Sequence, residues 1–295
     1  MQLLQQLTQQ LINGLALGSI YALVALGYTM VYGTIRLINF AHGDIFMMGA
    51  FVGYYLVTVL QMNVFLAMGI AMIFCAVLGV VIEKIAYKPL RNSTRVAALI
   101  TAIGVSYLLQ NLMVYFVGPE VRAFNSDFPN VIFRVGNLII SSKQIFVFAT
   151  TIILVLVLQV IVQKTKMGKA MRAVAVDSEA AQLMGIDVDR VISFTFALGS
   201  GLAGIAGVLV GVYYNSVSPL MGTGYGLKAF VAAVVGGIGS IPGAMVGGYL
   251  IGLLESFVTF LGLSTYRDAV VYGLLIVILL ILPAGLFGKN VKEKV

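Results

Sequence analysis

Of the 295 residues, 60% are hydrophobic and only 10% charged, whereas soluble domains carry about 25% charged residues. An ordinary cytosolic protein is excluded, and so is a disordered chain, which needs low hydrophobicity and high net charge. The net charge of +7 does not point to nucleic acid, because the bases fall in short clusters between apolar runs, the pattern of membrane topology. With one cysteine, Cys75, a disulfide scaffold is impossible.

The chain opens with MQLLQQLTQQ, which has no Lys or Arg and so lacks the positive n-region of a cleavable signal peptide. The first apolar run is long enough to span and is expected to stay. A spanning helix needs about 20 mostly apolar residues, and such runs lie near 9–32, 39–60, 64–82, 96–117, 140–163, 191–214 and 269–287. Between the last two, residues 227–261 are interrupted by GGIGSIPGA at 236–244, too long and too broken at Gly and Pro for one straight helix. A short half-helix, a turn and a longer helix starting near Ala244 are expected there. The fold class is therefore an all-α polytopic membrane protein, a single transmembrane domain over 1–295 with about eight transmembrane helices plus a broken half-helix segment.

Lys and Arg bias sets the orientation. With 83–95 in the cytoplasm, Lys84, Lys88, Arg91, Arg95, Lys164, Lys166, Lys169, Arg172, Arg190, Arg36 and the tail bases Lys289, Lys292 and Lys294 lie inside. Arg122, Arg134, Lys143, Lys228 and Arg267 lie outside, a balance of 13 to five. The positive-inside rule then puts the C-terminus in the cytoplasm and the N-terminus outside. There is also an internal echo. ALGS occurs at 16–19 and 197–200, and GAFVGYYL at 49–56 matches GAMVGGYL at 243–250 in six of eight positions. The first pair is antiparallel and the second parallel in this topology, so one symmetry operation does not cover both.

The longest cytoplasmic loop, 164–190, contains DSEAAQLMG, which reads as a short helix with both ends marked. Asp177 or Ser178 can cap its start, Glu179 suits the positive end of the dipole, and Gly185 suits a left-handed position past the end. Two turns are unstable alone, so the helix needs a dock, for which Ala180, Ala181, Leu183 and Met184 offer an apolar face. A surface helix lying on the bilayer is the plainer alternative.

Among the other chemistry-bearing residues, His42 and Asp44 in NFAHGD fall near the cytoplasmic start of the second span. Asn39 or Asp44 can cap that helix, or the segment, with Gly43, can face a pathway as a broken helix. Gly236, Gly237 and Gly239 allow close backbone approach, and freed N–H groups at a helix start can meet a carboxylate; close helix packing is the alternative. Glu255 within the later helix of this broken region, or Lys228 at its opening, is expected to be an ion-pair partner holding the bundle together rather than a substrate contact, and Arg267-Asp268 to anchor the outer end of the last span. The aromatic residues, none of them Trp, read as packing and interface anchors.

Glu179-Ala180-Ala181, three residues, then Gly185 resembles the EAA motif of ABC importer permeases, the coupling helix that sits in a cleft of the ATPase. NFAHGD at 39–44, TAIGVSYLLQN at 101–111 and KAFVAAVVGGIGSIPGAMVGG at 228–248 resemble the branched-chain amino acid permease family of the LivH type, and the likeness runs along essentially the whole chain. The resemblance implies an importer half-pore in a bacterial inner membrane, moving leucine, isoleucine, valine or similar substrates. It implies a second LivM-like permease, two ABC ATPase subunits and an extracytoplasmic substrate-binding protein as partners. ATPase coupling would fall to Ser178, Glu179, Ala180, Ala181, Leu183, Met184 and Gly185. The substrate pathway would include Asn39, His42, Gly43, Asp44, Gly236, Gly237 and Gly239. No cofactor, metal or nucleic acid is expected. There is no G-x-x-x-x-G-K-[ST], since Gly168-Lys169 is followed by Ala170, so ATP must bind a partner. Two other classes remain as contrasts: an ion-coupled secondary transporter, with Glu255 as its acidic site, and an intramembrane serine protease pairing Ser200 or Ser240 with His42.

Overall fold

The computed structural model describes residues 2–91 and 93–288; Lys289, Lys292 and Lys294 lie outside them. The first helix, α1 (Gln2–Ile35), runs about 51 Å at 1.5 Å per residue. It is followed by α2 (His42–Tyr54), which passes into a π-helical turn at Tyr55–Val59. Next come α3 (Val64–Ile82), started by the Asn63 side chain, and a second π-helical turn at Glu83–Tyr87. Helix α4 (Arg95–Val117), capped by Thr94, leads to a short strand β1 (Arg122–Ala123) and a hairpin of β2 (Ile132–Val135) and β3 (Leu138–Ser141). A reciprocal capping box of Ser141 and Gln144 opens α5 (Ser142–Lys164).

Two short helices follow, α6 (Lys166–Val176) and α7 (Ser178–Leu183), then α8 (Val188–Tyr214), capped by Asp187. Strand β4 (Ser216–Val217) pairs antiparallel with β1. The last helices are α9 (Met221–Gly236), α10 (Ile241–Phe260) and α11 (Arg267–Ile281).

Seven helices among the described residues are long and apolar enough to cross a membrane: α1, α3, α4, α5, α8, α10 and α11. The expected second span is not among them. Its α-helical part has 13 residues, and ten of these are buried in the middle of the bundle, where apolarity serves packing as much as lipid. The expected half-helix is α9, but it starts at Met221 rather than 227, and α10 starts at Ile241 rather than Ala244. The 164–190 loop contains α6 as well as the anticipated short helix.

Helices α1, α8, α2 and α10 form the centre, with α4, α5 and α11 outside them. Where α1 meets α10 the backbones nearly touch: a Cβ on Gly18 would sit 2.8 Å from Tyr249 Cα, and one on Gly252 2.3 Å from Gly18 N. In a bilayer, where burying apolar groups gives no gain over lipid, such close approach supplies van der Waals contact that larger residues would prevent. One end of the bundle carries the β2–β3 hairpin and the strand pair; we call it the hairpin end. The opposite, basic end carries Arg36, residues 83–91 and α6.

The ALGS echo has a structural counterpart. Its two copies lie in α1 and α8, which run in opposite directions and each precede a short buried helix, α2 and α9, running back against it. Helix α1 packs on α10 as α8 packs on α3. The order α1–α4 is thus repeated upside down by α8–α11, the inverted arrangement common among transporters. The second echo pairs α2 with α10, which do not correspond in this arrangement, so it is a coincidence of small residues.

Candidate functional site

At the basic end, α6 and α7 project as a helical corner. Thr165 Oγ1 accepts the Gly168 N–H (3.0 Å) to start α6. Gly168, Met171 and Val174 face inward, while Lys166, Lys169 and Arg172 are exposed. That inward spacing of three was legible in the sequence. Asp177, rather than Ser178, caps α7: its Oδ1 accepts from Glu179 N (3.0 Å) and Ala180 N (2.9 Å). At the other end Gly185 takes φ +83°, its N–H donating to the Gln182 carbonyl (3.0 Å) and that of Ile186 to the Ala181 carbonyl (3.0 Å). This is the paired closure for which glycine is favoured. Ala181 packs inward, whereas Ser178, Glu179 and Ala180 are exposed, and Leu183 and Met184 are 89% and 83% exposed. Two large apolar side chains are thus left in the open at a polar tip.

Beside α7 opens a groove of about 1250 Å³, bounded by the end of α1, by Lys88, Leu90, Arg91 and Ser93, and by the start of α8. An ion network forms its wall. Arg91 pairs with both Glu83 and Asp189, Lys88 Nζ lies 2.6 Å from Asp189 Oδ2, and Ser193 Oγ donates to Glu83 Oε2 (2.7 Å). Glu83 is fully buried. Sequence reasoning counted these bases only as topology markers; the missed signal is an acidic residue at the end of an apolar run, just before a basic cluster. The same π-helical turn carries Tyr87, whose hydroxyl donates to Asn39 Oδ1 (3.0 Å). Asn39 Oδ1 also accepts the Ala41 N–H (3.1 Å). Asn39 therefore ties down the approach to α2, while Asp44 caps nothing.

His42 and Asp44 do not lie near the basic end of the bundle, where the sequence boundaries put them. His42 abuts Gly27, eight residues before the end of α1, and Gly27 in turn meets Gly199, eleven residues after the start of α8. At 1.5 Å per residue, that is roughly 12–16 Å in from the basic end. Residues 36–41 re-enter the bundle, so α2 begins deep inside it. The His42 ring meets the edge of Tyr28 at 4.8 Å between centroids. Asp44 accepts from Gln110 Nε2 (3.0 Å), which also lies 3.1 Å from Ser106 Oγ and 3.1 Å from Thr223 Oγ1. Gly43 is pressed against the first turn of α9, where a Cβ on Gly222 would sit 2.6 Å from Asp44 Oδ1 and 2.8 Å from the Gly43 carbonyl. Gln110 and Thr223 were missed as site residues, although Gln110 lies within one of the segments quoted above.

The GGIGSIPGA break is a packed corner at the basic end. Gly236 is closed against Gly243, and Gly237, at φ +104°, against Gly288; Gly239 has φ +95° and only Gly33 nearby. The last carbonyls of α9, on Val235 and Gly236, accept from Leu286 N and Phe287 N (2.9 Å each). Ser240 Oγ accepts from Gly243 N (3.2 Å) and caps α10. The amides expected to be free at this break are thus partly taken. The start of α9, at its opposite end and beside Asp44, has no side-chain cap, as is true also of α2 and α11. Ser200 packs on Gly79 and makes no hydrogen bond with His42, so neither proposed serine has a nucleophile's setting.

Near the hairpin end, Lys228 Nζ lies 2.6 Å from Glu255 Oε1 and 2.8 Å from Asp268 Oδ1, and Tyr21 donates to Glu255 Oε2 (2.9 Å). Each is an ion-pair partner within the bundle, and the structure shows that the partner of Lys228 is Glu255, with Asp268 tying the start of α11 to them. Among the described residues, no three His, Cys, Asp or Glu side chains converge as metal ligands.

A family model described as the branched-chain amino acid transport system permease component matches residues 10–280. The chain is 43% identical over 300 residues to the high-affinity branched-chain amino acid transport system permease protein LivH of Salmonella typhimurium, with 97% of each chain covered. It is 41% identical over 299 residues to the corresponding permease protein BraD of Pseudomonas aeruginosa, again over 97% of each. Among solved structures, PsaBC from Streptococcus pneumoniae in complex with Fab aligns over 93% of this chain and 92% of that one, with a TM-score of 0.51 and 13% identity. That likeness is one of fold.

Proposed function

The chain belongs to the family of branched-chain amino acid transport permeases, which are transport subunits and not enzymes, and from this premise we propose that it is one half of the pore of an ATP-driven importer. The cargo is a branched-chain or similar hydrophobic amino acid moved into the cytoplasm. The partners are a second LivM-like permease, two ABC ATPases and an extracytoplasmic binding protein. The basic end faces the cytoplasm by the positive-inside rule, which leaves the N-terminus outside and the C-terminus inside.

The observation that carries this reading is α7, a short helix fixed at both ends that offers Glu179, Ala180, Leu183 and Met184 to a partner at the basic end. ATP binding and hydrolysis in the partners close and reopen their cleft and so move α7. A contiguous set of contacts leads inward from it: the start of α8 through Asp189 to Arg91, Arg91 to Glu83, and Tyr87 on the same turn to Asn39 and the start of α2. Asn39, His42, Gly43 and Asp44 then belong to the moving part of the pathway. Gly236, Gly237 and Gly239 form the hinge-like corner below it.

Glu179→Lys tests the coupling role. Uptake by the assembled transporter is expected to collapse with assembly or ATPase coupling impaired, and unchanged uptake would sink the assignment. Ion coupling through Glu255 is disfavoured because that carboxylate is occupied by Lys228. Uptake by the purified chain alone under an ion gradient would reinstate it.

A further inference from the structure

We infer that the seam between α2 and α4 is a station for the cargo amino acid, in which Asp44 receives the ammonium group and a neighbouring groove receives the aliphatic side chain. The inference rests on the importer reading and deepens it by saying where in this chain the cargo is held.

The seam is one continuous stripe on each helix. On α2 it runs through Asp44, Met48, Phe51 and Val52, at spacings i, i+4, i+7 and i+8, which lie on one helical face. On α4 it runs through Ser106, Gln110, Met113 and Val117, again at i, i+4, i+7 and i+11. The lower part of both stripes is polar, where Gln110 donates to Asp44 and contacts Ser106 and Thr223. Their upper part lines an open apolar groove of about 290 Å³, walled by Met48, Phe51, Val52, Met113 and Phe116. A polar pole and an apolar groove between the same two helices match a small zwitterion with a hydrocarbon side chain. The volume sits at the lower edge of the roughly 300–1000 Å³ of small-molecule sites, which suits a single amino acid. A sugar of that size would leave its hydroxyls unpaired against the apolar wall.

The electrostatics of Asp44 are the second, independent observation. Three carboxylates are buried among the described residues: Asp44, Glu83 and Glu255. Glu83 is paired with Arg91 and Glu255 with Lys228, whereas among the described residues no Lys or Arg pairs with Asp44. A carboxylate at membrane depth without a cation is costly, and such groups mark substrate or ion pathways. A cargo ammonium supplies the missing charge. Its carboxylate then lies toward the first turn of α9, whose Gly222 and Thr223 amides have no side-chain cap and whose dipole favours an anion. Thr223 is exposed and Gln110 half-buried, so these two side chains separate the buried Asp44 from the side of the molecule and must part to admit the ammonium group.

The test uses the assembled transporter, permease pair with ATPases and binding protein, in proteoliposomes supplied with leucine and valine together. Asp44→Asn is expected to cut uptake of both at least tenfold, and wild-type rates in that variant overturn the station. Met113→Trp narrows the groove and is expected to lower the leucine-to-valine uptake ratio at least threefold. This second variant decides the matter if Asp44→Asn does not co-purify with its partners. An unchanged ratio with normal wild-type uptake assigns the groove to a lipid chain and overturns the station alone. A wild-type complex that carries neither amino acid overturns the importer reading and the station together. A diazirine analogue of leucine provides the positional check: crosslinks at Met48, Val52 or Met113 support the station, and crosslinks confined to other helices overturn it.

Discussion

Asp44 and Glu255 are equally buried, each 2% exposed, yet they live in opposite company. Glu255 is held by the Lys228 ammonium and the Tyr21 hydroxyl, and Lys228 is shared with Asp268. Asp44 has the neutral side chain of Gln110 and the glycine backbone of α9. The first acid is neutralised within the chain and joins α1, α9, α10 and α11. The second is left for a charge that comes and goes. Burial by itself does not separate a structural acid from a working one; the presence of an internal cation does.

The largest effect should come from the paired region. Lys228→Met strands Glu255 without its cation, which costs roughly 3–5 kcal/mol for a buried pair, seen as a fall in Tm of the purified protein in detergent. Adding Glu255→Gln to that variant should recover most of the loss, because two neutral groups replace one stranded charge. A smaller effect is expected from Tyr87→Phe, which removes the hydroxyl on Asn39 and loosens the approach to α2. Stability should drop by about 1 kcal/mol, while uptake falls by more than that loss alone explains. Equal, modest changes in both would remove Tyr87 from the coupling route. The smallest effect on stability belongs to Asp44→Asn. It keeps a hydrogen bond to Gln110 and abandons no cation, so the change in Tm should stay within about 1 kcal/mol of wild type or be favourable. A destabilisation as large as that of Lys228→Met would erase the distinction between the two acids.

Much of this architecture was written in local patterns. Apolar runs located all the long helices, the Gly and Pro of 236–244 announced the corner between α9 and α10, and the caps of α7 at Asp177 and Gly185 followed from side-chain chemistry. The depth of α2 was not legible, because hydropathy measures the length of an apolar run and not where in the bundle it begins. The start of α9 was hidden for a related reason. Met221-Gly-Thr-Gly-Tyr-Gly226 is poor in helix propensity, and two of its glycines, Gly222 and Gly226, are required by the close fit against Gly43. The network of Glu83, Arg91 and Asp189 joins residues about a hundred positions apart, beyond the reach of any spacing rule. The α6 helix was legible in the inward spacing of Gly168, Met171 and Val174, which the emphasis on its basic residues obscured.

The contact of α2 with α9 through Gly43, Gly222 and Gly226 has a kinetic meaning. Most packed helices interlock, with side-chain ridges seated in grooves, so sliding one past another requires teeth to disengage and rotamers to exchange. At Gly43 the two helices meet with bare backbone on both sides, a smooth bearing with no teeth to lift. Small shear of α9 over α2 therefore meets no interlocked side chains at Gly43 itself, and resistance falls to the neighbouring Phe46–Tyr225 ring contact, 5.4 Å between centroids.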